Sequence, residues 1–246
     1  MPEECKDSDL ILVCLKTTAN DYMLKTLPKL IGPNSVVMTL QNGLGNEEEI
    51  SKVISADKII GGVAFICVNR ISAGKIDHSA FGHVKANGFN KNFAPEKLRA
   101  VKELFEQSGL DFSIEENLHE LKWEKLVWNV PFNGLSASLG GVDTRSILAH
   151  QPTHAVAIEL MKEVILGAKT QDVILDNKLI DENINKTLKM GPYMTSMSID
   201  RLNKKPLEVE GIIGIPLRKA KDKGIKLPYM ENLYAELSYY NASLIK

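Results

Sequence analysis

The 246-residue chain has little of what marks a specialised protein. Its three cysteines (Cys5, Cys14, Cys67) sit without paired spacing, which excludes a disulfide framework and a cysteine-ligated zinc module. Cys14 and Cys67 lie inside apolar stretches, where a thiol behaves as a small hydrophobe, so a reduced, cytoplasmic protein is expected. The formal net charge is -1, too small for a long-range field that would draw nucleic acid or a membrane surface. The longest apolar runs, residues 10–15 and 59–68, are too short to span a bilayer. The first residues are acidic (Glu3, Glu4, Asp7, Asp9), the wrong charge for a signal peptide. There is no internal repeat, low-complexity segment or flexible linker. At 44% apolar and 25% charged residues, what is left is a globular protein of one large domain or two smaller ones.

The periodicity changes part-way along. Residues 10–15 form a continuous apolar run ending at Lys16, as expected of a strand buried on both faces. Residues 20–31 then show helical spacing and stop at Gly32-Pro33. Residues 36–40 read as a second buried strand, followed by the turn Asn42-Gly43-Leu44-Gly45 and a helix near 46–55. Residues 59–68 read as a third strand, and 70–92 as a hairpin or edge strands. Pro95 and Gly109 bracket another helix. This alternation is the grammar of a parallel sheet with helical crossovers. From Asn117 the strand signal fades, and 117–130, 153–172, 179–189, 195–204, 208–223 and 229–244 carry helical spacing. The expected fold class is therefore α/β followed by all-α, divided into residues 1–115 and 116–246. Lys16 and Asn42 follow the first two strands, and an open parallel sheet binds ligands beyond such strand ends. Each alone reads as an ordinary surface lysine or turn; together they form a ligand-facing rim.

The most informative segment is 121–137, LKWEKLVWNVPFNGLSA. It is apolar nearly all round, so most of it must be buried. Yet Lys125, Asn129 and Asn133 recur at i, i+4 and i+8, on one stripe of a continuous helix. Pro131 removes a backbone bond beside that stripe and is expected to kink the helix. The stripe is either solvated, paired with backbone of the other half, or the lining of a cleft. A lysine in a partly dry cleft is a competent proton donor, because desolvation lowers its pKa. Asparagine side chains offer donor and acceptor together, suited to hydroxyl and carboxylate groups. That set suits reduction of a keto acid, in which a hydride arrives while a proton goes to the carbonyl oxygen. Ser196 alone reads as a helix-start residue, and Glu208 as an acid at a helix N-terminus. His150 and His154 stand four apart, but Pro152 between them and Gln151 in place of an acid spoil a helical zinc site.

Four segments in this order, LVCLKTT with Lys16, QNGLG with Asn42, KLVWNVPFN, and TSMSIDRLNKKPLEVEGIIG, resemble the ketopantoate reductase (2-dehydropantoate 2-reductase) family over the whole chain. The resemblance implies a partial Rossmann-like dinucleotide-binding domain and a C-terminal helical substrate domain. It implies NADPH-dependent reduction of a small 2-keto acid, 2-dehydropantoate to pantoate, in pantothenate biosynthesis. Lys125 matches the family's proton donor. Asn129, Asn133 and Ser196 match its substrate-binding residues, and Glu208 the acid that organises the ternary complex. Lys16 and Asn42 match residues facing NADP. A homodimer is compatible with this reading.

The departures bear on that reading. The family opens with a strand and a Gly-x-Gly-x-x-Gly turn that lays the pyrophosphate on a helix N-terminus. Here the nearest echo, Gly43-Leu44-Gly45, has Glu48 at the third glycine and follows the wrong strand. The chain corresponds to a start roughly 50–60 residues into the pattern. The reductase reading thus expects a leader, lost by truncation, by a mis-assigned Met1 or to a separate polypeptide. Without one, the sheet's exposed edge is expected to lower stability. The alternative function is a non-catalytic remnant that binds or oligomerises through its helical half. Tyr193 and Asp143 stand where some members have asparagine, which leaves other branched 2-keto acids open.

Overall fold

The computed structural model describes Cys5 and residues 7–244; Glu3 and Glu4 lie outside the described residues. The chain divides into two compact units, one of Met1–Asn42 with Asn46–Leu121, the other of Gly43–Gly45 with Lys122–Lys246.

The first unit is built on a five-stranded sheet in the order β1-β2-β3-β4-β5. In chain order it runs β1 (Leu10–Val13), α1 (Asn20–Thr26), β2 (Val36–Thr39), α2 (Asn46–Ser51), β3 (Ile59–Ser72), β4 (Lys75–Gly88), α3 (Pro95–Gln107) and β5 (Asp111–Ile114). β1, β2 and β3 are parallel, β3 and β4 form an antiparallel hairpin, and β5 returns parallel to β4 after α3. Successive strand side chains point to opposite faces. Val36 and Met38 accordingly pack in one cluster with Leu98, Val101 and Phe105 of α3, while Val37 packs in another with Met23 of α1 and Ile50 of α2. Helices on both faces explain why β2 reads as an unbroken apolar run.

Three readings of this unit need correction. β1 is not buried on both faces: only Val13 is buried, and Leu12 is 47% exposed, because among the described residues β1 is the edge strand of the sheet. Cys67 is buried as expected, whereas Cys14, just past that edge strand, is exposed. The third strand also runs on to Ser72, since it pairs with β4 over most of its length and with β2 only at Ile59, Ile60 and Gly61. The short β5 had no legible signal; of its four residues only Phe112 is buried.

The second unit is helical. It contains most of α4 (Leu118–Ser138), then α5 (Thr144–Ala149), α6 (Gln151–Lys169), α7 (Lys178–Met190) and α8 (Ser196–Leu202). A π turn (Glu210–Gly214) leads into α9 (Ile215–Lys221), and α10 (Pro228–Ser243) follows. α4 is the axis of its core: Trp123, Leu126, Val127, Val130 and Phe132 are all 1% exposed or less. Burying a tryptophan and a phenylalanine contributes several kcal/mol of transfer free energy at ~25 cal/mol per Å². The helix is unbroken at Pro131, although the missing N–H leaves the Val127 carbonyl without its usual donor. The first N–H groups of α10 are satisfied by a neighbour, since the buried Glu163 carboxylate of α6 accepts from Tyr229 N (2.9 Å) and Met230 N (2.8 Å). Among the described residues no helix is long and apolar enough to cross a membrane. No cluster of metal ligands forms among them, His150 and His154 included.

Candidate active site

Helix α4 places the polar stripe where its spacing puts it, on one side of an otherwise apolar rod. Asn129 and Asn133 are each 3% exposed, and Lys125 is half-buried. Asn133 Nδ2 donates to Asn129 Oδ1 (3.4 Å). In turn Asn133 Oδ1 accepts from Ser196 Oγ (3.2 Å) and Met197 N (3.3 Å). The structure therefore joins Asn129, Asn133 and Ser196 into one network across α4 and α8. Ser196 is not the cap of α8: Thr195 is, accepting from Ser198 N at 3.1 Å, which leaves the Ser196 hydroxyl for Asn133. At the network's end Asn129 Nδ2 is buried with no hydrogen-bond partner. An unpartnered buried amide costs about 1–3 kcal/mol, and a fold tolerates it where something else is gained.

Lys125 is the most perturbed base of this unit. Its pKa falls from 10.5 to about 7, first because burial strips water from the ammonium, and second because Lys122 is a like charge. Glu208, 3% exposed in the segment ahead of the π turn, pulls the other way. Lysine, both asparagines, serine and acid thus belong to the helical unit, with Lys125 and Glu208 close enough to feel each other's charge.

The sheet unit holds the other two residues. Lys16, exposed, and Asn42, half-buried, follow the carboxyl ends of the adjacent parallel strands β1 and β2 and share one rim of the sheet. Asn42 O accepts from Asn46 Nδ2 at 3.0 Å, which steadies the turn.

Sequence reasoning missed two members of the α4 stripe. Lys122 (5% exposed) precedes Lys125 by three residues, and Ser136 follows Asn133 by three, bonding Thr195 Oγ1 at 2.6 Å. Extending the same helical count by one turn each way would have found both. Asp143 has a local duty: its Oδ1 accepts from Ser146 N (2.9 Å) and caps α5. The ring of Tyr193 lies 6.2 Å from that of Trp128, which is next to Asn129 in α4.

Two family models match the chain. "Ketopantoate reductase PanE/ApbA" covers residues 2–91, and "Ketopantoate reductase PanE/ApbA C terminal" covers residues 117–241. The chain belongs to the ketopantoate reductase family. A 2-dehydropantoate 2-reductase of Nostoc sp. is 38% identical over 235 residues, which are 94% of this chain and 73% of that protein. The crystal structure of 2-dehydropantoate 2-reductase from Geobacter metallireducens is 37% identical with a TM-score of 0.92, covering 97% of this chain and 79% of the other. At 24% identity and a TM-score of 0.89, D-mandelate dehydrogenase, solved as a ternary structure with NADH and anilino(oxo)acetate, shares the fold over 100% of this chain and 80% of its own. These matches bear out the expected class, a Rossmann-like sheet domain followed by a helical one. This family member is similar in sequence to oxidoreductases along both units.

Proposed function

We propose that the protein reduces a small 2-keto acid with NADPH, that 2-dehydropantoate is the substrate, and that Lys125 is the proton donor. The observation that carries the reading is the buried, unpartnered Nδ2 of Asn129 one helical turn from a lysine whose pKa is about 7. A group titrating near neutrality can donate its proton in turnover and regain it from water. Lys125 as ammonium would protonate the C2 oxygen as hydride reaches C2, leaving a neutral amine and a 2-hydroxy acid. Asn129, Asn133 and Ser196 would hold the substrate's hydroxyl and carboxylate, and Glu208 would keep Lys125 charged until substrate is bound. A non-catalytic remnant has no use for this arrangement, which costs stability and offers no structural return.

A nicotinamide cofactor fits the rim formed by Lys16 and Asn42, where ligands of open parallel sheets lie. Bound there, NADPH would supply the hydride. The Gly43–Gly45 turn does not fit the pyrophosphate, because a Cβ at Gly43 would meet Gly211 backbone at 2.3 Å and the space is already filled. In this proposal residues 1–115 serve the cofactor and 116–246 the substrate.

The test is steady-state reduction of 2-dehydropantoate by the purified protein, with NADPH and with NADH. Lys125→Ala is expected to lower kcat at least 100-fold with the fold intact by circular dichroism, since general acids contribute about 10²–10⁴. The wild-type kcat/KM should fall above about pH 7, where the ammonium is lost. Turnover unchanged by Lys125→Ala would reject the proton donor, and a preference for NADH would reject the cofactor assignment.

A further inference from the structure

The helix that follows Glu208 opens on a π turn whose sequence creates an orphan carbonyl. Ile215 N–H donates to Glu210 O, five residues back. Gly211 O then has no donor in its own helix: Ile215, four residues on, is committed, and Pro216, five residues on, has no N–H. The carbonyl accepts instead from Leu44 N–H at 2.9 Å. Leu44 is the middle of the Gly43–Gly45 turn, whose glycines have φ of 85° and 86°. A Cβ at Gly43 would lie 2.3 Å from Gly211 C and O, and one at Gly45 2.6 Å from Ile215 Cδ1. The turn thus seats only as glycine. From the other side Arg218 Nη2 bonds Glu210 Oε2 at 2.7 Å, and the Tyr234 hydroxyl donates to the same carboxylate. Glu208 is tied in through its own carbonyl, which accepts from Ile212 N at 3.3 Å.

We propose that the Gly43–Gly45 turn is a positioning clasp for Glu208: Leu44 N–H on the Gly211 carbonyl holds the π turn open and fixes where the Glu208 carboxylate stands. The role of Glu208 rests on the reductase reading; the clasp itself does not.

Pro216→Ala returns an N–H to the helix, so the turn can relax and Gly211 can find a donor of its own. Amide hydrogen exchange reads this without turnover. Leu44 N–H is expected to be protected in the wild type and to exchange at least ~10-fold faster in Pro216→Ala. Equal exchange in the two proteins would overturn the clasp. The kinetic readout is the alkaline limb of kcat/KM against pH. The charges that bear on the Lys125 ammonium are Lys122, from its own helix, and Glu208, from the segment ahead of the π turn. Glu208 favours the charged form, so loosening the clasp should move the limb to lower pH in both Pro216→Ala and Gly43→Ala, towards that of Glu208→Gln. Gly140→Ala controls for backbone strain, because its φ is 89° and the added Cβ meets nothing within 4 Å. It should leave the limb in place. If the limb of Pro216→Ala stays at the wild-type position, the clasp does not position Glu208. A wild type without turnover would remove the reductase reading, and Leu44 exchange alone would then decide the clasp.

Discussion

Replacing Lys125 by methionine is expected to stabilise the fold while abolishing turnover. The folded protein holds this proton less tightly than the unfolded chain does, since the pKa drops from 10.5 to about 7. Between those two values the unfolded chain binds the extra proton, so stability rises with pH across the window from about 7 to 10.5. Below about pH 7 both states are charged and the full difference opposes folding, roughly 5 kcal/mol at 1.36 kcal/mol per pKa unit. The same linkage gives a penalty of roughly 4 kcal/mol at pH 7 and roughly 2 kcal/mol at pH 9. Water reaching the half-buried side chain screens part of this, so these are upper figures. Methionine fills a similar volume without the charge. The pKa of about 7 already includes the attraction to Glu208, which disappears with the ammonium as pH rises, so the difference between the two pH values needs no separate correction for it. Urea denaturation of wild type and Lys125→Met at pH 7 and pH 9 measures this directly. The variant should be the more stable at pH 7, and its advantage should shrink by about 2 kcal/mol at pH 9. An advantage that does not change with pH would refute a desolvated lysine.

Asn129→Leu removes the buried Nδ2 that the fold leaves unsatisfied, which offsets the loss of the Oδ1 acceptor for Asn133 Nδ2. Its unfolding free energy should stay within about 1 kcal/mol of wild type, while kcat/KM falls at least ~10-fold; a large loss of stability with normal kinetics would make Asn129 a structural residue. Lys122→Met removes the like charge that helps depress Lys125, so the alkaline limb of kcat/KM should move to higher pH. A limb that stays fixed would show that desolvation acts alone. Thr195→Val deletes both the α8 cap and the bond to Ser136, and calorimetry should register a loss of about 1–3 kcal/mol.

Elements are legible in the chain wherever local pattern and final environment agree. The apolar run at 36–40 reads as a buried strand, and β2 at Val36–Thr39 is one; the spacing of 121–137 reads as a mostly buried helix with one polar stripe, and α4 carries it. Order along the chain gave the Rossmann-like half before the helical half, and the stripe named Lys125, Asn129 and Asn133 before any coordinates. Tertiary structure decided what local pattern cannot encode. β1 reads like β2 in sequence, yet it is half-exposed, because burial depends on having neighbours on both sides. Ser196 carries a hydroxyl for Asn133 rather than for its own helix, a choice set by Thr195 standing one residue earlier. The pKa of Lys125 depends on Glu208, 83 residues away in sequence, and on the water excluded by the helices around α4. Hydrophobic period is a property of neighbours in sequence, whereas desolvation and charge pairing are properties of neighbours in space.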